Sequence, residues 1–261
     1  MSPKPRRHKL AESLAFASDL AIEAGKITLK HFRTSLTVET KSDDSPVTIA
    51  DRETERFLRA AILEKFPDHG VLGEEYGETN PGARWRWILD PIDGTQAFIH
   101  GVPLYTTLIG LECSGASALG VIHCPPLGET VAAATGYGCT LNGEPCRVSQ
   151  VGEMSQARLN VTDYADLTRR HPAFAAALLG KVKMARGWAD AYSYLLVATG
   201  RAEIAIDPVM ALWDNAPLKA ILEEAGGRFT DFKGTPTIYG GSAVATNGVL
   251  HEEVLRLIAP A

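Results

Sequence analysis

The stretch Trp85-Arg-Trp-Ile-Leu-Asp-Pro-Ile-Asp-Gly-Thr-Gln-Ala-Phe98 constrains the fold most, because it reads as a strand handing over to a helix start. Trp85, Trp87 and Leu89 alternate with Arg86 and Ile88, the period of two that belongs to a strand. Pro91 lacks the amide hydrogen a central strand needs, so the strand is expected to end at Asp90. Asp93-Gly94-Thr95 then opens a short helix, whose free N–H groups and dipole favour an anion. Asp90 and Asp93, with the Ile92 carbonyl between them, repel one another unless protonated or bridged by a cation. A hard divalent ion such as Mg2+ takes oxygen ligands and commonly shares them with a substrate phosphate. A solvated surface turn would use the same residue types, so the motif alone leaves both readings open.

The rest of the chain supplies partners. Leu10, Leu14, Ala17, Ala21 and Ala24 recur at helical steps and predict an amphipathic helix over 10–32. Residues 33–48 turn polar, and Lys41-Ser-Asp-Asp-Ser-Pro46 is expected to be a mobile loop; its adjacent aspartates do not fit a calcium-binding EF-hand. A second helix opens at Thr48-Ile-Ala-Asp51 and stops before Pro67, with Asp51 either stabilising its first turn or serving the site. Val71-Leu72 is a short strand that delivers Gly73-Glu74-Glu75 to its end, as the later strand delivers Asp90. Apolar runs separated by turns, including Asn142-Gly143, predict an antiparallel meander between 105 and 148. Strand and helix patterns alternate after Ser149: strands near 159–162, 182–185 and 202–206, helices over 172–179 and 190–199. A further helix is expected from Trp213-Asp214 to Gly226-Gly227, with Asp214 readable as its N-cap. Two lobes are expected, 1–150 and 151–261, forming one catalytic unit.

A net charge of −5 argues against a nucleic-acid or anionic-membrane surface, so the expected partner is a small molecule. The basic start, Lys4-Pro-Arg-Arg-His-Lys9, precedes no apolar run or cleavage site and is expected to be a solvated tail. Four cysteines without a C-x-x-C pair fit a reducing cytoplasm, and seven scattered histidines without H-E-x-x-H give no reason to expect zinc.

Three motifs together, Gly73-Glu74-Glu75, Trp87-Ile-Leu-Asp-Pro-Ile-Asp-Gly-Thr95 with Phe98, and Trp213-Asp214 with Ala225-Gly226-Gly227, resemble the inositol monophosphatase family of magnesium-dependent, lithium-sensitive phosphatases. The resemblance spans nearly the whole chain. It implies a five-layer α-β-α-β-α sandwich, a homodimer, and two or three Mg2+ ions held by Glu74, Asp90, the Ile92 carbonyl, Asp93 and Asp214. It further implies that Asp51 and Thr95, with Glu74, activate water, and that the Gly94 and Thr95 amides hold phosphate. A haloacid-dehalogenase-type phosphatase also sets D-G-T after a strand, but it needs D-x-D where this chain has D-x-x-D. A metal- and phosphate-binding regulatory module without turnover would have no use for Asp51 and Thr95.

The run after D-G-T, Gln96-Ala97, departs from the asparagine-containing run usual in inositol phosphatases. Arg186-Gly-Trp-Ala-Asp190-Ala-Tyr-Ser-Tyr194, continuing to Ile206-Asp207 and Trp213-Asp214, resembles the histidinol-phosphate phosphatase branch of the family. That ester carries an ammonium and an imidazole, which pocket carboxylates complement. Gln96, Arg186, Asp190 and Asp207 are the candidate substrate contacts, and a helix N-cap is the other reading of Asp190. An inositol or other sugar monophosphatase is the alternative.

Overall fold

A computed structural model describes residues 7–35, 37–41, 46–188 and 190–258. The basic start, residues 1–6, and the centre of the expected mobile loop, 42–45, lie outside the described residues. The chain opens with α1 (Arg7–His31), then β1 (Glu39–Thr40) and β2 (Pro46–Val47), α2 (Ile49–Lys65), β3 (Gly70–Gly73), β4 (Gly77–Thr79), β5 (Trp85–Asp93) and α3 (Thr95–Ile99). A meander follows: β6 (Thr106–Cys113), β7 (Ala116–Cys124), β8 (Glu129–Ala134), β9 (Gly138–Leu141) and β10 (Glu144–Pro145). The remainder is β11 (Arg158–Asn160), α4 (Tyr164–Arg170), α5 (Pro172–Leu179), β12 (Met184–Arg186), α6 (Asp190–Ala198), β13 (Ile204–Asp207), α7 (Leu212–Glu224), β14 (Arg228–Thr230), β15 (Ala243–Thr246) and α8 (His251–Ile258).

These elements stack in five layers, α-β-α-β-α. The stripe read on α1, together with Leu58 and Ile62 of α2, meets Trp87 and Leu89 of β5 on the outer face of an eight-stranded sheet. That sheet runs β10-β9-β8-β7-β6-β5-β3-β4 and is antiparallel except for the β3–β5 pair. Its other face packs on α6 and α7, which also meet Ala205, Phe229 and Ala245 of a five-stranded sheet ordered β12-β11-β13-β15-β14. Beyond that second sheet, Leu167 of α4, Phe174 and Leu178 of α5 and Val254 of α8 cover Leu159, Ile204 and Ile206. The two-residue turn Asn142-Gly143 takes positive φ at both positions, 51° and 86°, the type I′ geometry that joins twisted antiparallel strands.

Four expectations are corrected. Pro91 does not end the strand: β5 continues to Asp93, and its pairing with β6 is interrupted between Asp90 and Asp93. Proline is tolerated there because an irregularity leaves no ladder bond for its missing N–H. The segment read as loop contains a small ladder, Glu39 opposite Val47 and Thr40 opposite Pro46. The helix α4 had no expectation; Asp163 caps it by accepting from the Ala165 and Asp166 amides. Asp214 is not the N-cap of α7: Ala211 is, and Asp214 stands at the third helical position, accepting from the Ala211 amide at 2.7 Å.

Among the described residues no helix is long and apolar enough to cross a membrane.

Candidate active site

Strand parity and register bring the carboxylates together. Trp87 and Leu89 face α1 and α2, so Ile88 and Asp90 face the opposite side, where Ile88 packs on Ala216, Leu212 and Trp213 of α7. Gly73 of β3 pairs in parallel with Leu89 of β5, so Glu74 leaves its strand beside Asp90. Asp90 Oδ1 accepts from the Ile92 amide at 3.0 Å, which closes the turn on itself. Gly94 follows with φ of +81°, a conformation that an L side chain resists, and the Thr95 hydroxyl donates back to the Ile92 carbonyl at 3.1 Å.

Asp93 and Asp214 tie this turn to the rest of the molecule. Asp93 Oδ2 accepts from Thr106 Oγ1 at 2.7 Å on β6 and from the Ala191 amide at 2.9 Å at the start of α6. Asp214 arrives on α7, which lies against β6 and β7 where Gly110 and Gly120 face each other in register. A Cβ on Gly120 would overlap the Pro217 carbonyl and come within 2.7 Å of Pro217 Cα, so glycine is what allows the helix this close. Asp90, Asp93 and Asp214 each offer a carboxylate oxygen, and all three atoms lie within 4.8 Å of one another.

They line a cavity of about 390 Å³ together with Glu74, Asp163, Asp166, Asp190 and Asp207; none of its described lining residues is lysine, arginine or histidine. Burial pushes the Asp90 carboxyl well above the usual range, and the negative charges of Glu74, Asp93 and Asp214 add to it. Burial does the same to Asp93, reinforced by Asp190 and opposed by the Thr106 and Ala191 hydrogen bonds. Asp214 is raised well above the usual range by burial and by Asp93. The one cation close by sits at the edge: Lys41 Nζ contacts Glu74 Oε1 at 2.7 Å and Glu75 Oε1 at 2.6 Å. Burial lowers the Lys41 pKa, but those two partners outweigh it and raise it overall. Such a donor set, hard oxygens in excess and short of positive charge, fits a hard divalent cation of the Mg2+ type.

The other expected residues are distributed unevenly. Ile92, Gly94, Thr95, Gln96, Asp190 and Asp207 line the cavity; Asp51 and Arg186 do not. Asp51 forms a capping box, its Oδ2 accepting from the Thr48 amide at 2.8 Å and the Thr48 hydroxyl at 2.7 Å, and no hydrogen bond joins it to Thr95 among the described residues. Burial and the charge of Glu74 nevertheless raise its pKa, against those hydrogen bonds, so it lies within the field of the cluster. Arg186 is exposed at the end of β12 and donates to the neighbouring Ala185 carbonyl. Asp207 is buried and engaged, accepting from the Thr162 amide at 2.9 Å and Tyr194 Oη at 2.8 Å. Asp190 has φ of +48°, and its amide donates to Thr162 Oγ1 at 3.0 Å. Its carboxylate accepts no hydrogen bond from the described residues, and a Cβ on Gly94 would stand 2.7 Å from its Oδ2. Burial, with Asp207 and Asp214, pushes the Asp190 carboxyl up to about 7. Thr106, which orients Asp93, and Thr162, which anchors Asp190, had no sequence signal beyond being ordinary strand threonines.

A histidinol-phosphatase of Chlorobaculum parvum is 44% identical to this chain, over 95% of it and 97% of the relative. A histidinol-phosphatase of Mycobacterium tuberculosis is 39% identical, over 94% and 96% respectively. Among solved structures, the IMPase of Thermotoga maritima superposes with a TM-score of 0.86 at 30% identity, covering 95% of this chain and 96% of that one. The inositol monophosphatase family pattern matches residues 9–260, and the chain belongs to that family.

Proposed function

We propose that the protein is a magnesium-dependent phosphoric monoester hydrolase that converts L-histidinol phosphate and water to L-histidinol and phosphate. The observation that carries the metal dependence is the cavity lining: eight acidic side chains and, among its described residues, no basic one. A phosphate dianion would be repelled from such a surface by several kT, so positive charge has to be brought in. Glu74, Asp90, the Ile92 carbonyl, Asp93 and Asp214 are the residues that would hold it, as two or three Mg2+ ions. Bound there, magnesium supplies Lewis-acid stabilisation for the charge that builds on the phosphate and on the departing ester oxygen.

The chain's own groups do the positioning. The Gly94 and Thr95 amides, at the turn where β5 passes into α3, donate to phosphate oxygens and fix the phosphorus over the carboxylates. Thr95, its proton directed to the Ile92 carbonyl, presents a lone pair to the attacking water and orients it. Glu74 lines the cavity and takes the proton, with Asp51 acting on the cluster through its charge. In-line displacement needs no protein nucleophile.

Substrate choice is assigned to the carboxylates that remain. Asp190 is free of hydrogen bonds from described residues and faces the cavity beside Gly94, so it suits the substrate's ammonium or imidazolium. Gln96 contributes from the rim, Asp207 shapes the pocket through Thr162 and Tyr194, and Arg186 reaches substrate only if its segment moves inward. The two histidinol-phosphatase relatives support this ester. On this reading residues 1–150 carry the chemistry and 151–261 the leaving-group wall of one unit, working as a cytoplasmic homodimer.

Phosphate release from histidinol phosphate and from inositol 1-phosphate, side by side with and without Mg2+, tests the proposal. Preference for histidinol phosphate with activity lost in chelator is expected. Preference for inositol 1-phosphate would overturn the substrate, and full turnover in excess chelator would overturn the metal.

A further inference from the structure

We infer that Glu55 is a positioning residue for Glu74: a buried carboxylate that grips the backbone just after it and so fixes where the Glu74 side chain enters the cavity. This rests on the reading that Glu74 holds magnesium. Glu55 lies on α2, is fully buried, and touches none of the cavity. Its Oε2 accepts from the Glu75 amide at 2.7 Å and its Oε1 from the Tyr76 amide at 3.1 Å. Those are the two residues that follow Glu74 as β3 turns toward β4.

The carboxylate is itself held. Arg59, one helical turn on, donates from Nε to Glu55 Oε1 at 2.7 Å, and its other nitrogens reach Thr79 Oγ1 at 3.0 Å and the Gly77 carbonyl. Arg59 thus closes a ring from α2 across the β3–β4 turn and back. Gly73 completes the device. A Cβ there would overlap the Glu55 carboxylate, with Oε2 only 2.8 Å away, so the residue before Glu74 must be glycine for Glu55 to reach under the turn. Helix α2 therefore fixes Glu74 from below through Glu55, while Lys41 contacts it from above.

A buried ion pair is a costly way to obtain stability, because desolvating both charges offsets most of their attraction. Two charge-assisted bonds to consecutive amides, placed beside a cavity carboxylate, give it another use: they remove freedom from a turn that would otherwise relax away from the charge crowd at Asp90. Groups that orient metal-binding side chains in this way typically change metal affinity about 10–100-fold when altered.

The test is calorimetric titration of Mg2+ into the metal-free protein, for wild type, Glu55→Gln, Gly73→Ala, Arg59→Lys and two references. Asp90→Asn checks the metal reading. Glu203→Gln checks for simple loss of a buried glutamate, since Glu203 is equally buried and accepts from the Arg158 amide at 2.7 Å in the second sheet. Glu55→Gln and Gly73→Ala are expected to weaken Mg2+ binding about 10–100-fold, with faster exchange of the Glu75 and Tyr76 amides. Arg59→Lys should do so by a smaller factor, and Glu203→Gln should lower the melting temperature with Mg2+ affinity unchanged. Unaltered Mg2+ affinity in Glu55→Gln and Gly73→Ala, or in Arg59→Lys if those two do not fold, overturns the inference. Unaltered affinity in Asp90→Asn overturns the metal reading instead.

Discussion

Replacing Gly120 with alanine should weaken the site from more than one helix turn away. The new Cβ would come within 2.7 Å of Pro217 Cα and closer still to its carbonyl oxygen, whereas 3.4 Å is where ordinary contact begins. The obstruction is backbone, so no side chain can rotate aside, and α7 must lift from β7 by at least the difference, about 0.7 Å. Asp214 is three residues earlier on the same helix and shares its movement. Overpacking of this kind costs about 1–3 kcal/mol, and in a chain of this size each kcal/mol lowers the melting temperature by about 2–4 °C, giving a drop of about 2–12 °C. Displacement of a catalytic group by about 1 Å can cost about a hundredfold in rate. The expected outcome is therefore a folded enzyme with kcat/KM down about 10–100-fold and a raised Mg2+ requirement. Gly152→Ala is the control, because its Cβ would meet only Val249 at 3.8 Å. A Gly120→Ala protein that melts lower yet keeps wild-type kcat/KM and Mg2+ half-saturation would refute the idea that the approach of α7 sets Asp214.

Other outcomes follow from the same charges. Asp90→Asn and Asp214→Asn should each abolish turnover while raising the melting temperature measured in chelator, because each removes a member of a buried, mutually repelling set; a lower melting temperature would contradict this. Asp190→Asn should cost about 1.5–3 kcal/mol, or about 10–150-fold in kcat/KM, with histidinol phosphate and little with an uncharged alcohol's phosphate; equal losses on both would make it structural. Burial holds the His123 and His251 pKa at about 4, against an ordinary 6.5. Both therefore stay neutral in the folded state while the unfolded chain takes up their protons, so their contribution is full above about pH 7 and is lost as pH falls from 6.5 toward 4. A shift of that size is worth up to about 3 kcal/mol each. Differential scanning of wild type and His251→Gln should show a smaller acid-side loss in the variant, and identical slopes between pH 6.5 and 4.5 would contradict it.

The metal and phosphate chemistry was legible because its signals are local. Asp90, Ile92, Asp93, Gly94 and Thr95 fall within six residues, and strand parity in Trp85–Leu89 already assigns Asp90 its face. What escaped were features made only by tertiary approach. Gly110 and Gly120 look like ordinary strand glycines until α7 lies on them, and Glu55 looks like a surface helix glutamate until the β3–β4 turn folds over it. Pro91 was misread because a proline forbids a ladder bond but not a strand that breaks its register there. Asp214 was misread as a cap because the preference for Asp extends over the whole first turn. Arg186 was placed near substrate by its neighbourhood in sequence, yet the end of β12 turns it outward.

The two walls of the cavity come from different sheets, and this gives the protein room to change. Glu74, Asp90, Asp93 and Thr95 hang from the eight-stranded sheet, whereas Thr162, Asp163, Asp166 and the run 207–211 hang from loops after β11 and β13 of the five-stranded one. Only two described joints cross directly into the turn after β5: the Ala191 amide on Asp93 and the Asp214 carboxylate brought by α7. Substitutions in the second set of loops can therefore accumulate without disturbing the groups that break the ester bond. One scaffold could thus be redirected among phosphate esters by selection on a few loop positions, and a library confined to residues 162–166 and 207–211 is where altered specificity should appear at the least cost in turnover.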